Sequence, residues 1–68
     1  MLKAYDRTTG KEVKVGDMVT DFRGEQGILL ELTRAEGVGY SGKVYVQASN
    51  GSKWEVYDNC YNLRVVKE

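Results

Sequence analysis

The sequence predicts an all-β domain, and three features of its 68 residues carry that prediction. Eight glycines, with no proline, punctuate short runs rich in β-branched and aromatic residues. No segment repeats apolar residues at the 3.6-residue period of an amphipathic helix over a helical length. Ser49-Asn50-Gly51-Ser52 joins two such runs, and Asn-Gly in that position is the strongest short-range hairpin signal.

Each element follows from its own residues. Thr8-Thr9-Gly10 is a turn between two short extended runs, so residues 1–14 form an N-terminal hairpin or arm. Val15-Gly16-Asp17 turns into a strand over Met18 to Phe22. Arg23-Gly24-Glu25-Gln26 is a tight connection in which Gly24 can take a positive φ. Gly27 to Arg34 is the longest strand. Its Ile28, Leu29, Leu30 and Leu32 also fit a helix, but the flanking glycines and the short length favour a strand. Ala35 to Gly42, with three glycines, is the one long loop. Lys43 to Ala48 alternates, and Lys53 to Tyr57 is its hairpin partner. Asp58 to Asn62 is too polar to extend that strand and reads as one 3₁₀ turn before a last strand, Leu63 to Val66.

Side-chain period fixes the face of the hairpin, because a slip of one residue turns every side chain over. A two-residue loop at Asn50-Gly51 places Val46 opposite Glu55. A three-residue loop, Asn50-Gly51-Ser52, with a bulge at Gly51 or Ser52, pairs Val46 with Val56, Ala48 with Trp54 and Tyr45 with Tyr57. The odd loop is the expected one. Val44, Val46, Trp54 and Val56 then face inward, with Trp54 in the core, while Tyr45, Gln47, Glu55 and Tyr57 share the outer face.

Composition narrows the function. Hydrophobic residues make up 41% and charged residues 29%, as in ordinary globular domains. Ten basic residues balance ten acidic ones, so net charge does not call for nucleic acid or a membrane. Cys60 is the single cysteine and there is no histidine, which excludes an internal disulfide, a zinc-ligand spacing and the commonest general acid/base. Met1 to Asp6 has no apolar signal-peptide core, and no apolar stretch reaches membrane-spanning length. A cytoplasmic setting, no membrane, no metal, no cofactor and no catalysis are the expectations.

The ordered set Val15-Gly16-Asp17-Met18-Val19, Arg23-Gly24-Glu25-Gln26-Gly27-Ile28-Leu29, Asn50-Gly51 and Asp58 to Leu63 resembles the SH3-like small β-barrels, including the KOW and Tudor-like groups. The resemblance covers about residues 13–68. It implies a single domain over 1–68, with an arm at 1–14 and a five-stranded barrel at 15–68. It also implies binding of proteins, peptides or nucleic acid through strand faces and the loops between the first strands. The size and style also resemble small proteins encoded by phages and other mobile elements. A second resemblance is to type II dihydrofolate reductases, oligomeric enzymes on the same kind of barrel, through Trp54-Glu55-Val56-Tyr57. There the family has glutamine where this chain has Glu55, and a carboxylate would repel a phosphorylated dinucleotide.

Candidate binding residues are Tyr40, Tyr45 and Tyr57, with Arg23, Arg34, Lys43 and Lys53 around them. Tyrosines on one strand face offer a platform for bases or a groove for a peptide. Equally, they stabilise a sheet as a cross-strand pair. Glu25, Glu31, Glu36 and Glu55 show no spacing that defines a catalytic carboxylate pair. Cys60 reads as a small apolar residue rather than a reactive thiol. The sequence therefore favours a non-catalytic protein-binding module, with nucleic-acid binding as the alternative and homodimerisation through a strand edge as a further expectation.

Overall fold

In the computed structural model, which describes residues 1–68, seven strands and one 3₁₀ turn follow one another. The strands are β1 (Leu2–Asp6), β2 (Glu12–Val13), β3 (Met18–Thr20), β4 (Gln26–Arg34), β5 (Lys43–Ala48), β6 (Lys53–Tyr57) and β7 (Leu63–Lys67), with the 3₁₀ turn at Asp58–Tyr61. They form two antiparallel sheets, ordered β2-β1-β7 and β3-β4-β5-β6, and their ladders do not join into a closed ring. All-β architecture is thus established, with the N-terminal pair β1 and β2 followed by five strands, β3 to β7, over residues 15–68. No helix is long and apolar enough to cross a membrane.

The expected N-terminal hairpin forms, and it is built into the domain. Asp6 Oδ1 accepts the Thr8 and Thr9 N–H groups at 2.7 and 2.9 Å, closing the turn. All five residues of β1 pair with β7, from Leu2 opposite Lys67 to Asp6 opposite Leu63. The chain ends therefore meet. The Met1 amino group donates to the Glu68 carbonyl at 2.9 Å, and the Glu68 N–H donates to the Met1 carbonyl at 2.8 Å.

β4 explains how a run of four apolar residues in five can form one strand. Its register against β5 shifts twice, once between Leu29 and Glu31 and once between Leu32 and Arg34. Each shift inserts one residue, Leu30 and Thr33, as a β-bulge. One face then carries Gly27, Leu29 and Leu32, opposite Ala48, Val46 and Val44. The other carries Ile28, Glu31 and Arg34, opposite Gln47, Tyr45 and Lys43.

The core is thin. Its buried apolar side chains are Ala4, Val19, Leu29, Val44, Val46, Tyr61, Leu63 and Val65, with Cys60 half-buried against them. Gly27 has no room for a side chain, since a Cβ there would lie 2.9 Å from the Gln47 carbonyl oxygen.

The β5–β6 hairpin has the expected odd-length loop but starts it one residue earlier. The loop is Ser49-Asn50-Gly51, closed by the Ala48 N–H on the Ser52 carbonyl at 2.7 Å and the Gly51 N–H on the Ala48 carbonyl at 2.9 Å. Gly51 takes φ 90°, the positive angle that completes a type I turn with a glycine bulge. Observed pairs are Val46 with Trp54, Val44 with Val56, Tyr45 with Glu55 and Lys43 with Tyr57, which corrects the expected partners by two residues while keeping every face. The expectation of a buried Trp54 is overturned, because its side chain is 43% exposed. It points to the inner side of its sheet, but β6 is the sheet's edge and the buried cluster ends at Val46 and Val44 of β5.

Asp58 holds the 3₁₀ turn to both sheets. The residue is fully buried. Its N–H donates to the Gly42 carbonyl at 2.9 Å, and its Oδ2 accepts the Val65 N–H at 3.0 Å. Oδ1 has no hydrogen-bond partner in the chain and faces the Arg7 guanidinium at 3.6 Å. Arg7 also donates to the Leu63 carbonyl and to Glu36, both at 2.8 Å. Gly42 is glycine because of this lock, since a Cβ there would lie 2.6 Å from Asp58 Oδ2 and 2.7 Å from the Arg34 carbonyl oxygen.

Candidate binding face on the outer side of the sheet

The bulges of β4 and the odd loop of the hairpin align three rows of side chains across the outer face. The first row is Met18, Ile28, Gln47 and Lys53. The second is Glu31, Tyr45 and Glu55, and the third is Arg34, Lys43 and Tyr57. Strands in a sheet stand about 4.8 Å apart, so Glu31 and Glu55 lie roughly 10 Å from each other with Tyr45 between them.

Two of the candidate tyrosines carry a cation. The Arg34 guanidinium lies 5.0 Å from the Tyr40 ring centroid, and the Lys43 amine lies 5.6 Å from that of Tyr57. Tyr40 and Tyr57 are 55% and 53% exposed. Tyr40 is set in place by the glycine-rich loop. Gly37 and Tyr40 bond to each other across Val38-Gly39, with Gly39 at φ 82°, and the Tyr40 ring occupies the space that a Gly37 side chain would need. A loop of three glycines thus serves to lay one aromatic ring over its own backbone.

Two of the three cations on this face already have acceptors. Arg34 Nε donates to the Ser41 carbonyl at 3.1 Å, and its Nη2 donates to the same oxygen. Lys43 Nζ pairs with Glu55 Oε1 at 3.8 Å. Lys53 alone has neither an ion pair nor a hydrogen-bonded acceptor. Arg23, grouped with these residues from the sequence, is engaged elsewhere. It lies on the β3–β4 turn, 3.4 Å from both Asp21 and Glu25 and 5.6 Å from the Phe22 ring. Burial there pushes the Asp21 carboxyl up, but the N–H groups of Glu25 and Arg23 and the Arg23 charge together hold it below its usual value.

Of the seven candidates, the structure brings Tyr45, Tyr57, Arg34, Lys43 and Lys53 onto one sheet face, adds Tyr40 beside Arg34, and leaves Arg23 out. Sequence reasoning did not place Glu31, Ile28 and Met18 there. Ile28 and Glu31 share a face only through the bulge at Leu30, which carries no glycine or other marker, and Met18 joins them by pairing with Ile28. Met18, Ile28, Gln47 and Ala48 line a shallow hollow of about 350 Å³ at the hairpin end of the face. No three carboxylate, cysteine or histidine side chains converge to hold a metal ion.

No protein-family model, curated protein or solved structure matches the chain.

Proposed function

We propose that the chain is an SH3-like small barrel that acts as a non-catalytic, cytoplasmic protein-binding module through the outer face of β4, β5 and β6. One observation carries the reading. Three tyrosines stand exposed or half-exposed among charges of both signs, with Lys43 already paired to Glu55 and Arg34 already bonded to Ser41. A phosphate backbone needs free cations and loses its grip beside carboxylates. A protein surface instead matches aromatic anchors ringed by mixed charge, because Tyr supplies rigid contact area with a polar tip. The order of elements from Val15 to the last strand supports the barrel assignment, and β1 with β7 supplies the second sheet.

The test is capture from nuclease-treated lysate of the native host, using the wild-type chain and Tyr40→Ala/Tyr57→Ala as baits. A protein retained by the first and lost from the second is the expected result. Fluorescence anisotropy with single- and double-stranded oligonucleotides at two salt concentrations runs beside it. Salt-sensitive oligonucleotide binding at micromolar protein, with capture abolished by nuclease, transfers the face to nucleic acid.

A further inference from the structure

We propose that two copies of this chain associate through the free edge of β6, joining their four-stranded sheets into one of eight strands. The hydrogen-bond phase of the hairpin leaves that edge open. The Ala48 N–H bonds to Ser52 at one end, and the Asp58 N–H bonds to Gly42 at the other. Hydrogen-bonded pairs alternate along an antiparallel ladder, so Trp54 and Val56 bond inward to β5. The main-chain groups of Lys53 and Glu55 therefore point away from β5, toward the open edge.

β6 also lacks most forms of edge protection. Natural proteins blunt free edges with proline, bulges, very short strands or charged side chains. Here the charges, Lys53 and Glu55, are of opposite sign and can complement those of a second copy. β6 is five residues long with a regular register against β5, and it contains no proline. Of the other edge strands, β2 and β3 have two and three residues, and β7, with five, already has its outward Val65 N–H and carbonyl bonded to Asp58 Oδ2 and the Glu36 N–H.

Charge selects a second copy and its register. Three antiparallel registers keep the main-chain phase. Centring the twofold on Glu55 sets two carboxylates opposite each other, which is unfavourable. Centring it on Val56 pairs Glu55 with Tyr57 of the other copy. Centring it on Trp54 places Lys53 opposite Glu55 twice, as hydrogen-bonded pairs, and sets the two tryptophans directly opposite each other. In that non-hydrogen-bonded position side chains approach most closely. This register gives Trp54, exposed at the inner side of a sheet edge, an apolar partner. It also makes every charged contact complementary. The contact is small, so the association is weak and depends on concentration.

Sedimentation equilibrium from micromolar to millimolar protein tests it, with thermal denaturation of each variant as a control for folding. The wild-type chain is expected to move from monomer to dimer, with Trp54 emission shifting to the blue as it does. Lys53→Glu and Glu55→Lys each weaken association by about tenfold or more, since each creates two like-charge contacts. The double variant K53E/E55K restores it, an outcome that the register centred on Glu55 does not give. Glu55→Pro, which removes an outward N–H together with the carboxylate that faces Lys43 and the other copy's Lys53, and which suits an edge position, abolishes it. A chain that stays monomeric to millimolar concentration overturns the proposal, as does folded Lys53→Glu or Glu55→Pro that associates as the wild type does.

Discussion

Asp58 Oδ2 accepts the Val65 N–H at 3.0 Å from a position with no solvent exposure, so one carboxylate joins the 3₁₀ turn to the last strand. A buried carboxylate is tolerated only where charge and hydrogen bonds compensate it. Here the compensation is the Arg7 guanidinium, carried by the turn between β1 and β2.

Asp58→Ala leaves the Val65 N–H without an acceptor and removes the buried charge that faces Arg7. A loss of roughly 2–3 kcal/mol is expected. For a domain of this size that lowers Tm by roughly 10–20 °C. Asp58→Asn keeps one acceptor oxygen and recovers part of the loss. Thermal denaturation followed by circular dichroism at neutral pH measures both, and an alanine variant as stable as wild type contradicts the assigned role.

Gly37→Ala separates the position of Tyr40 from the stability of the fold. The added methyl group takes the space of the Tyr40 ring, while the loop is exposed and lies outside the core. Proton NMR of the side chains reads the outcome. Arg34 loses its upfield ring-current shift as Tyr40 swings away, and the denaturation midpoint stays close to that of the wild type.

Trp54→Ala is expected to cost no more than about 1.5 kcal/mol, well below the 3–5 kcal/mol typical of a buried aromatic residue. Urea denaturation at low micromolar protein, where the chain is monomeric, gives the value. Under the same conditions Trp54 fluoresces at long wavelength and is readily quenched by iodide. A large loss with blue-shifted emission places the side chain in the core after all.

Stability is expected to hold level from weakly acidic pH to about pH 9 and to fall on both sides. On the acid side, the N–H groups of Thr9 and Thr8 hold Asp6 below its usual 3.8, and Asp21 is held below 3.8 despite its burial. A depressed carboxyl stabilises the fold fully above its unfolded value and loses that contribution as pH falls through the folded one. On the alkaline side, donation to Glu68 raises Tyr5 above 10.0, and burial with the charges of Asp21 and Glu25 raises Tyr61. Their contribution is complete below pH 10 and is lost as pH rises through the raised values. Denaturation midpoints from pH 2 to 11 trace both limbs. Asp6→Asn flattens the acid limb, and Tyr5→Phe flattens the alkaline one.

The legible parts of the fold were those set by local chemistry. Alternation in Lys43–Ala48 and the Asn-Gly signal were enough for the parity of the hairpin. The phase of its loop was also readable in principle, since a type I turn with a glycine bulge puts glycine last, which selects Ser49-Asn50-Gly51. The burial of Trp54 was not readable, because hydrophobicity says what a residue prefers, whereas the edge position of β6 is a property of the whole sheet. The bulges at Leu30 and Thr33 were hidden for another reason. They space the outer residues Ile28, Glu31 and Arg34 three apart, a period that looks helical in a sequence and here belongs to a strand. The alignment of Ile28, Glu31 and Arg34 on the candidate face depended on them. The cations were visible as residues, but their engagement with Ser41, Glu55 and the Asp21 turn arises only from folding.

The meeting of the chain ends has a mechanical consequence. Leu2 opposes Lys67 and Asp6 opposes Leu63, so tension applied through residues 1 and 68 acts across the β1–β7 ladder rather than along it. Each bond is loaded in turn, beginning with those at Met1 and Glu68, and the strands peel apart like a zipper. A domain pulled this way yields at low force, and the peeling removes Ala4 and Val65 from each other before the four-stranded sheet bears any load.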